Sequence, residues 1–169
     1  MKGIEQALQQ PLERKMDFTR HRRLRINPLI RDMLCETRIA PSQLIQPLFL
    51  HEGLKRAVEI KSMPGQYQYP AEGALPFIER CMSVGVRNFI LFGIPSSKNP
   101  EGSGAYDERG VIQRAIGFIK KRIDDVLLIA DTCLCEYTSD GQCGDCENGQ
   151  LQNDATLKLI QKTALSQAA

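Results

Sequence analysis

Apolar and polar positions change period several times along the chain, and each change predicts an element. QPLFL (46–50), closed by the His51-Glu52-Gly53 turn, is a short apolar run that predicts a buried strand. VRNFILFGI (86–94), β-branched and aromatic and ended by Pro95, predicts a second. DVLLIAD (125–131) predicts a third, and its lack of alternation suggests cover on both faces. Between these runs the period lengthens. ALPFIERCMSVG (74–85) predicts a helix that ends at Gly85, and VIQRAIGFIKKRI (111–123) puts Ile112, Ala115, Ile116, Ile119 and Ile123 on one helical face. NDATLKLIQKTALSQAA (153–169) opens with Asn153 and Asp154 as N-cap candidates and carries Leu157, Ile160, Ala164 and Ala168 as an apolar stripe. MPGQYQYP (63–70) and SSKNPEGSGAYDERG (96–110) are broken by Pro and Gly and predict loops. A polar loop as long as the second is uncommon in compact domains unless it is functional.

The predicted order is arm, β, α, β, α, β, cysteine loop, α. Strands separated by helices imply parallel βαβ units, an α/β fold whose chemistry sits at the carboxyl ends of the strands. The final helix reaches Ala169 without a Gly or Asn cap, a Pro or a returning strand. A (β/α)8 barrel typically takes about 250 residues. The expectation is therefore the front part of a larger parallel fold.

Composition adds limits. Apolar residues at 42% and charged residues at 25% are globular values. MKGIEQALQQPLERK lacks the apolar core of a signal peptide, and no stretch reaches the ~18 apolar residues of a membrane span. These features predict a cytoplasmic protein without a membrane partner. Residues 1–38 hold nine Lys or Arg against five Asp or Glu, whereas residues 39–169 hold thirteen against fifteen. The basic excess concentrates in RHRRLRINPLIR (20–31). Without interleaved aromatics it reads as a solvated or subunit-facing arm in preference to a nucleic-acid arm. The expected organisation is a basic arm over 1–38 followed by the α/β part over 39–169.

The chemistry concentrates in DTCLCEYTSDGQCGDC (131–146), which holds Cys133, Cys135, Cys143 and Cys146. Residues 123–157 carry eight Asp or Glu and no Lys or Arg. Negative surroundings raise thiol pKa values, so this is a poor place for free thiolates and argues against a thiol redox protein. A bound divalent cation reverses the logic, because it deprotonates coordinating thiols and favours neighbouring carboxylates. In extended chain Cys133 and Cys135 project to one side, and Gly141 permits a turn that returns Cys143. Three thiolates with an open position would form a catalytic zinc arrangement; adding Cys146 would close a structural one. The C-x-C-x7-C-x2-C spacing is not that of a common zinc finger or iron–sulfur protein. A zinc-stapled nucleic-acid module with a basic arm remains the alternative.

DTCLCEYTSDGQCG resembles the metal-binding signature of the porphobilinogen synthase family, also called delta-aminolevulinic acid dehydratase. RRLRINPLIRDML, QPLFLHEG, MPGQYQYP, VRNFILFGIP and ENGQLQNDATLKLIQKTAL resemble further segments of that family in the same order. The resemblance implies about the first three βα units of a (β/α)8 TIM barrel, preceded by an extended arm that wraps a neighbouring subunit, commonly in an octamer. It implies a zinc-dependent lyase that condenses two molecules of 5-aminolevulinate into porphobilinogen on the way to haem. Cys133, Cys135 and Cys143 match the family's zinc ligands, and Asp131 matches an active-site acid. Two departures stand out. Asp140-Gly141-Gln142 replaces the family's His-Gly-His, and the family's Schiff-base lysines lie on later strands with no matching segment here. Lys98, Lys158 and Lys162 are expected to be solvated, so the 169-residue chain alone is expected to be inactive.

Overall fold

Strand β1 (Ile45–His51) sorts its side chains by alternation, with Leu48 and Leu50 fully buried on one face. A computed structural model describes residues 21–169, which divide into two compact units at Arg38 and Ile39. Residues 1–20 of the expected arm lie outside the described residues. Within 21–38, helix α1 (Pro28–Met33) begins at Asn27, whose Oδ1 accepts the Ile30 N–H at 3.0 Å.

In the second unit the chain continues through β2 (Val58–Glu59), β3 (Tyr67–Tyr69), α2 (Leu75–Ser83) and β4 (Asn88–Ile94). It then forms α3 (Val111–Lys120), β5 (Leu127–Ala130), β6 (Cys146–Glu147), β7 (Gln150–Leu151) and α4 (Asn153–Ala168). The main sheet has the order β2-β3-β1-β4-β5. β3, β1, β4 and β5 are parallel neighbours, whereas β2 runs antiparallel to β3. β6 and β7 form a separate antiparallel pair. The α/β class with a parallel sheet thus holds.

Leu48 lies opposite Leu91 across β1 and β4, and with Leu50 and Phe89 they form one fully buried face. Ile78 of α2 and Ile112, Ala115 and Ile119 of α3 cover that face. The amphipathic spacing of α3 explains why: its apolar stripe has a sheet to cover, and its polar side remains outside. On the opposite face Phe49 and Phe92 stack with centroids 5.4 Å apart.

Three local expectations are corrected. Tyr67–Tyr69 of MPGQYQYP is a strand, because the turn before it folds back on β2: the Gly65 N–H donates to Glu59 Oε1 at 2.8 Å. Its Tyr69 is buried and stacks on Phe77 at 5.4 Å. β5 is not covered on both faces; it is the last strand of the sheet, and Leu127 is exposed. The buried side of α4 contains Thr156 and Thr163, while Leu157, Ala164 and Ala168 face outward. Of the expected stripe Ile160 does pack on the core, joined by Leu159, so the buried side coincides with that stripe only in part. Asn153 and Asp154 lie inside that helix, and Gln152 occupies the N-cap position without a capping side-chain bond.

Candidate metal centre

The site begins at the carboxyl end of β5, where the Asp131 N–H donates to the Leu91 carbonyl at 3.2 Å and prolongs the ladder by one residue. By alternation Asp131 lies on the Phe49–Phe92 side of the sheet. The chain then turns sharply. The Tyr137 and Thr138 N–H groups both donate to the Leu134 carbonyl at 2.9 Å. Leu134 and Tyr137 are buried in the core, and this anchors the segment that carries Cys133 and Cys135.

A second turn returns Cys143. Thr138 Oγ1 donates to the Gln142 carbonyl at 2.8 Å, and the Gln142 N–H donates to Asp140 Oδ1 at 3.0 Å. Gly141 between them adopts φ +72°, which glycine reaches without strain. Asp140 and Gln142 therefore act in shaping the turn, through a side-chain oxygen in one case and backbone groups in the other. The result is three sulfurs in one place: Cys133 Sγ lies 3.2 Å from Cys135 Sγ and 3.4 Å from Cys143 Sγ. Cys146 falls in the β6–β7 hairpin and outside this group.

Electrostatics raise two of the three thiols, Cys135 and Cys143, above their ordinary range. Burial first, then the hydrogen bonds that Cys135 accepts from Cys133 and donates to Glu136 Oε2, push the Cys135 thiol well above its ordinary range. The hydrogen bond and charge of Cys133 push Cys143 upward as well. Glu136, half-buried, is raised chiefly by burial, with its hydrogen bond to Asp131 adding to the effect. Soft sulfur donors held together, with the carboxyls of Asp131 and Glu136 beside Cys133, suit a thiophilic divalent ion. The set fits a metal.

The polar loop over 96–110 supports this arrangement. The Asn99 N–H donates to the Tyr137 carbonyl at 3.3 Å, and the Ser139 N–H donates back to the Asn99 carbonyl at 3.0 Å. Lys98, though exposed, donates from Nζ to the Cys135 carbonyl at 3.4 Å. The sequence marked the loop as functional by its length but carried no signal for this contact. Lys158 is exposed, and Lys162 rests its ammonium 5.2 Å from the Tyr106 ring centre. From the other side, Gln167 Nε2 donates to the Asp131 carbonyl at 2.8 Å, tying α4 to the end of β5.

Residues 18–169 match the family model of delta-aminolevulinic acid dehydratase. The chain belongs to the delta-aminolevulinic acid dehydratase family. A dehydratase from Archaeoglobus fulgidus is 46% identical over 149 residues, covering 88% of this chain and 46% of that protein. One from Bacillus subtilis is 40% identical over 151 residues, covering 89% of this chain and 47% of its own length. The chain thus spans just under half the length of these dehydratases. A solved structure of the Toxoplasma gondii dehydratase, in complex with the reaction product porphobilinogen, matches with a TM-score of 0.84 at 35% identity. That match covers 89% of this chain and 44% of the other.

Gly93 of β4 makes the Tyr137 anchor possible. A Cβ there would collide with the Tyr137 hydroxyl and lie 2.8 Å from Val111 and Ile112 side-chain carbons. Gly93→Ala is expected to destabilise the protein by about 1–3 kcal/mol through overpacking. It should also weaken metal retention, because the displaced ring carries the Cys133–Cys135 segment. Urea unfolding and a chelator competition measure the two effects, and unchanged values in both would contradict the anchor role.

Proposed function

We propose that this chain is the metal-carrying part of a porphobilinogen synthase, built as about the first three βα units of a (β/α)8 barrel. The observation that carries the proposal is the convergence of Cys133, Cys135 and Cys143 at the carboxyl end of a parallel strand. In barrel enzymes that end of the sheet is where catalytic groups gather. The ion is zinc, bound by the three thiolates, and the substrate is 5-aminolevulinate, two molecules of which condense to porphobilinogen.

Zinc, when bound, supplies a Lewis acid that polarises a substrate oxygen. The remaining work belongs to the chain's own side chains. Asp131 presents a carboxylate on the inner face of the strand end, where it orients the substrate ammonium. Glu136 beside it has its pKa raised, chiefly by burial, and stands with Asp131 and Cys133 within 4.8 Å as a second acid near the reacting groups. Phe49 and Phe92 wall the same face and limit water.

The arm packs on a second copy of the chain in a homo-oligomer. Ile26, Leu29 and Met33 recur at helical spacing in the first unit and are exposed, an apolar surface that association would bury. The basic side chains around them remain for solvent and for acidic neighbours. Nothing in the proposed function calls on nucleic acid or a membrane, and its expected compartment is the cytoplasm.

Metal binding must displace protons from thiols whose pKa values lie above the ordinary range, so affinity rises with pH. Between about pH 6 and 8 the zinc association constant should gain about tenfold per pH unit for each proton released. Zinc titration of the 169-residue chain against a competing chelator, with proton release followed in weak buffer, measures both quantities. A chain that binds no zinc, or binds it with a flat pH profile, would contradict the proposal.

A further inference from the structure

We infer that the polar loop over 96–110 is a clasp on the cysteine loop and that Asn99 is its positioning residue, so that retention of an ion by Cys133, Cys135 and Cys143 depends on a side chain outside the sulfur set. This inference rests on the metal reading above and names what holds that site in shape. The need for a clasp comes first. Leu134 and Tyr137 are buried, so the core holds the segment that carries Cys133 and Cys135. Cys143 is exposed, and so are Ser139, Asp140, Gly141 and Gln142 in the turn that returns it. Hydrogen bonds therefore have a larger share than apolar burial in placing the third sulfur.

Asn99 supplies those bonds through its backbone. Its N–H donates to the Tyr137 carbonyl at 3.3 Å and its carbonyl accepts the Ser139 N–H at 3.0 Å, so it pairs in parallel with Thr138 as a single bridge. Thr138 lies fully buried between those two bonds, and its hydroxyl closes the turn on the Gln142 carbonyl, one residue before Cys143. Lys98 adds a third bond, from its ammonium to the Cys135 carbonyl at 3.4 Å. The clasp thus bonds to Cys135, Tyr137 and Ser139, alternate residues along the cysteine loop. Gly102 packs on the same place: a Cβ there would lie 3.1 Å from Thr138 Cγ2.

The side chain of Asn99 shapes the clasp itself. Oδ1 accepts the Ser103 N–H at 3.0 Å and Nδ2 donates to Ser103 Oγ at 2.6 Å, which closes residues 99–103 on themselves. An amide makes both bonds because it carries a donor and an acceptor. The root of the loop is fixed as well. Glu52 Oε2 accepts from the Ser96 N–H at 3.0 Å and from the Ser96 hydroxyl at 2.9 Å, while Glu52 Oε1 accepts from Arg114 Nη2 at 2.6 Å. With root and tip both held, the backbone groups of Asn99 meet the cysteine loop already ordered. Truncating the amide frees the tip, and the ion must then order it on binding, which lowers affinity.

The test loads the 169-residue chain with Co(II), whose sulfur-to-metal charge-transfer band reports bound thiolates, and measures the association constant by chelator competition. Asn99→Ala should bind Co(II) on the order of tenfold more weakly than the parent. Its band at saturation should keep the parent intensity, because all three sulfurs still bind. Asn99→Asp retains acceptors for the Ser103 N–H and hydroxyl. It should recover most of the loss in about 1 M salt, where the Debye length is about 3 Å and an added exposed charge is screened. Ser103→Ala should weaken binding too, and should do so whether or not Asn99→Ala folds. Combined with Asn99→Ala it should cost nothing further, since the two residues act as one unit. Ile78→Val, a truncation in the buried part of α2, reports lost stability alone and should keep the parent association constant. Far-UV circular dichroism and urea unfolding should show each variant folded. Parent-like binding in Asn99→Ala and Ser103→Ala, an equal loss in Ile78→Val, additive losses in the double variant, or no recovery in Asn99→Asp would overturn the inference and leave the three-sulfur site standing. A saturated band in Asn99→Ala reduced to that of Cys143→Ser would also overturn it. A parent chain that binds no Co(II) would overturn the metal reading and this inference with it.

Discussion

Cys133→Ser is expected to abolish zinc binding by the chain, lowering the association constant by at least about a hundredfold. Cys133 is the sulfur that contacts both others, at 3.2 and 3.4 Å, and its donor atom also lies with those of Asp131 and Glu136. A serine hydroxyl in its place would not ionise near neutral pH and offers a hard oxygen where the rest of the set is soft. Cys135→Ser and Cys143→Ser should follow the same course. Cys146→Ser should bind zinc as the parent does, because Cys146 belongs to the β6–β7 hairpin and stands apart from the three-sulfur group. Metal content after gel filtration, together with chelator competition, distinguishes the four variants. Loss of zinc in Cys146→Ser with retention in Cys143→Ser would show that the ligand set is wrong.

The chain by itself should form no imine with 5-aminolevulinate and no porphobilinogen. Covalent capture of a carbonyl needs a lysine that is neutral near pH 7, which requires desolvation or a neighbouring cation. The seven described lysines, Lys55, Lys61, Lys98, Lys120, Lys121, Lys158 and Lys162, are all exposed. Lys98 reaches the cysteine loop, yet it is exposed and its bonding partner there is a backbone carbonyl and not a neighbouring cation. Without covalent positioning of two substrates, Lewis-acid polarisation alone leaves the entropic part of the barrier in place. Borohydride trapping followed by intact mass measurement is therefore expected to show no stoichiometric adduct. A specific adduct on any one of these lysines, with pyrrole formation, would contradict the assignment of this chain as the metal-carrying part alone.

Periodicity located the elements that bury a strong apolar set. β1, β4 and α3 read directly because their apolar residues recur at spacings of two or of three to four, and a sheet and a helix stripe must cover one another. The hairpin of β2 and β3 did not read, since the alternation in QYQY is only four residues long between Gly65 and Pro70, and its pairing with β1 and β2 is what makes it a strand. α4 was legible as a helix but not in its orientation. Leu157, Leu159, Ile160 and Leu165 spread around it, so hydrophobicity marks no single face, and packing settled on Thr156 and Thr163. Thr163 Oγ1 satisfies itself on the Leu159 carbonyl at 2.9 Å, and Thr156 Oγ1 accepts the Asp145 N–H at 3.0 Å. Buried hydroxyls with local partners cost little, which is why polar letters could occupy the inner side.

At the site the division is equally physical. The sequence by itself determined the types of donor, their acid-rich setting and the alternation that puts Cys133 and Cys135 together, all properties of neighbouring residues. It left three-sulfur and four-sulfur sets both open. Only the tertiary structure separated Cys146 from the others, brought Asn99 and Lys98 onto the cysteine loop, and set Glu136 against both Asp131 and Cys135. Contacts such as those of Asn99 and Lys98 join residues more than thirty-five positions apart in sequence. They arise because Gly93 leaves room for the Tyr137 ring against α3, and no local pattern encodes that space.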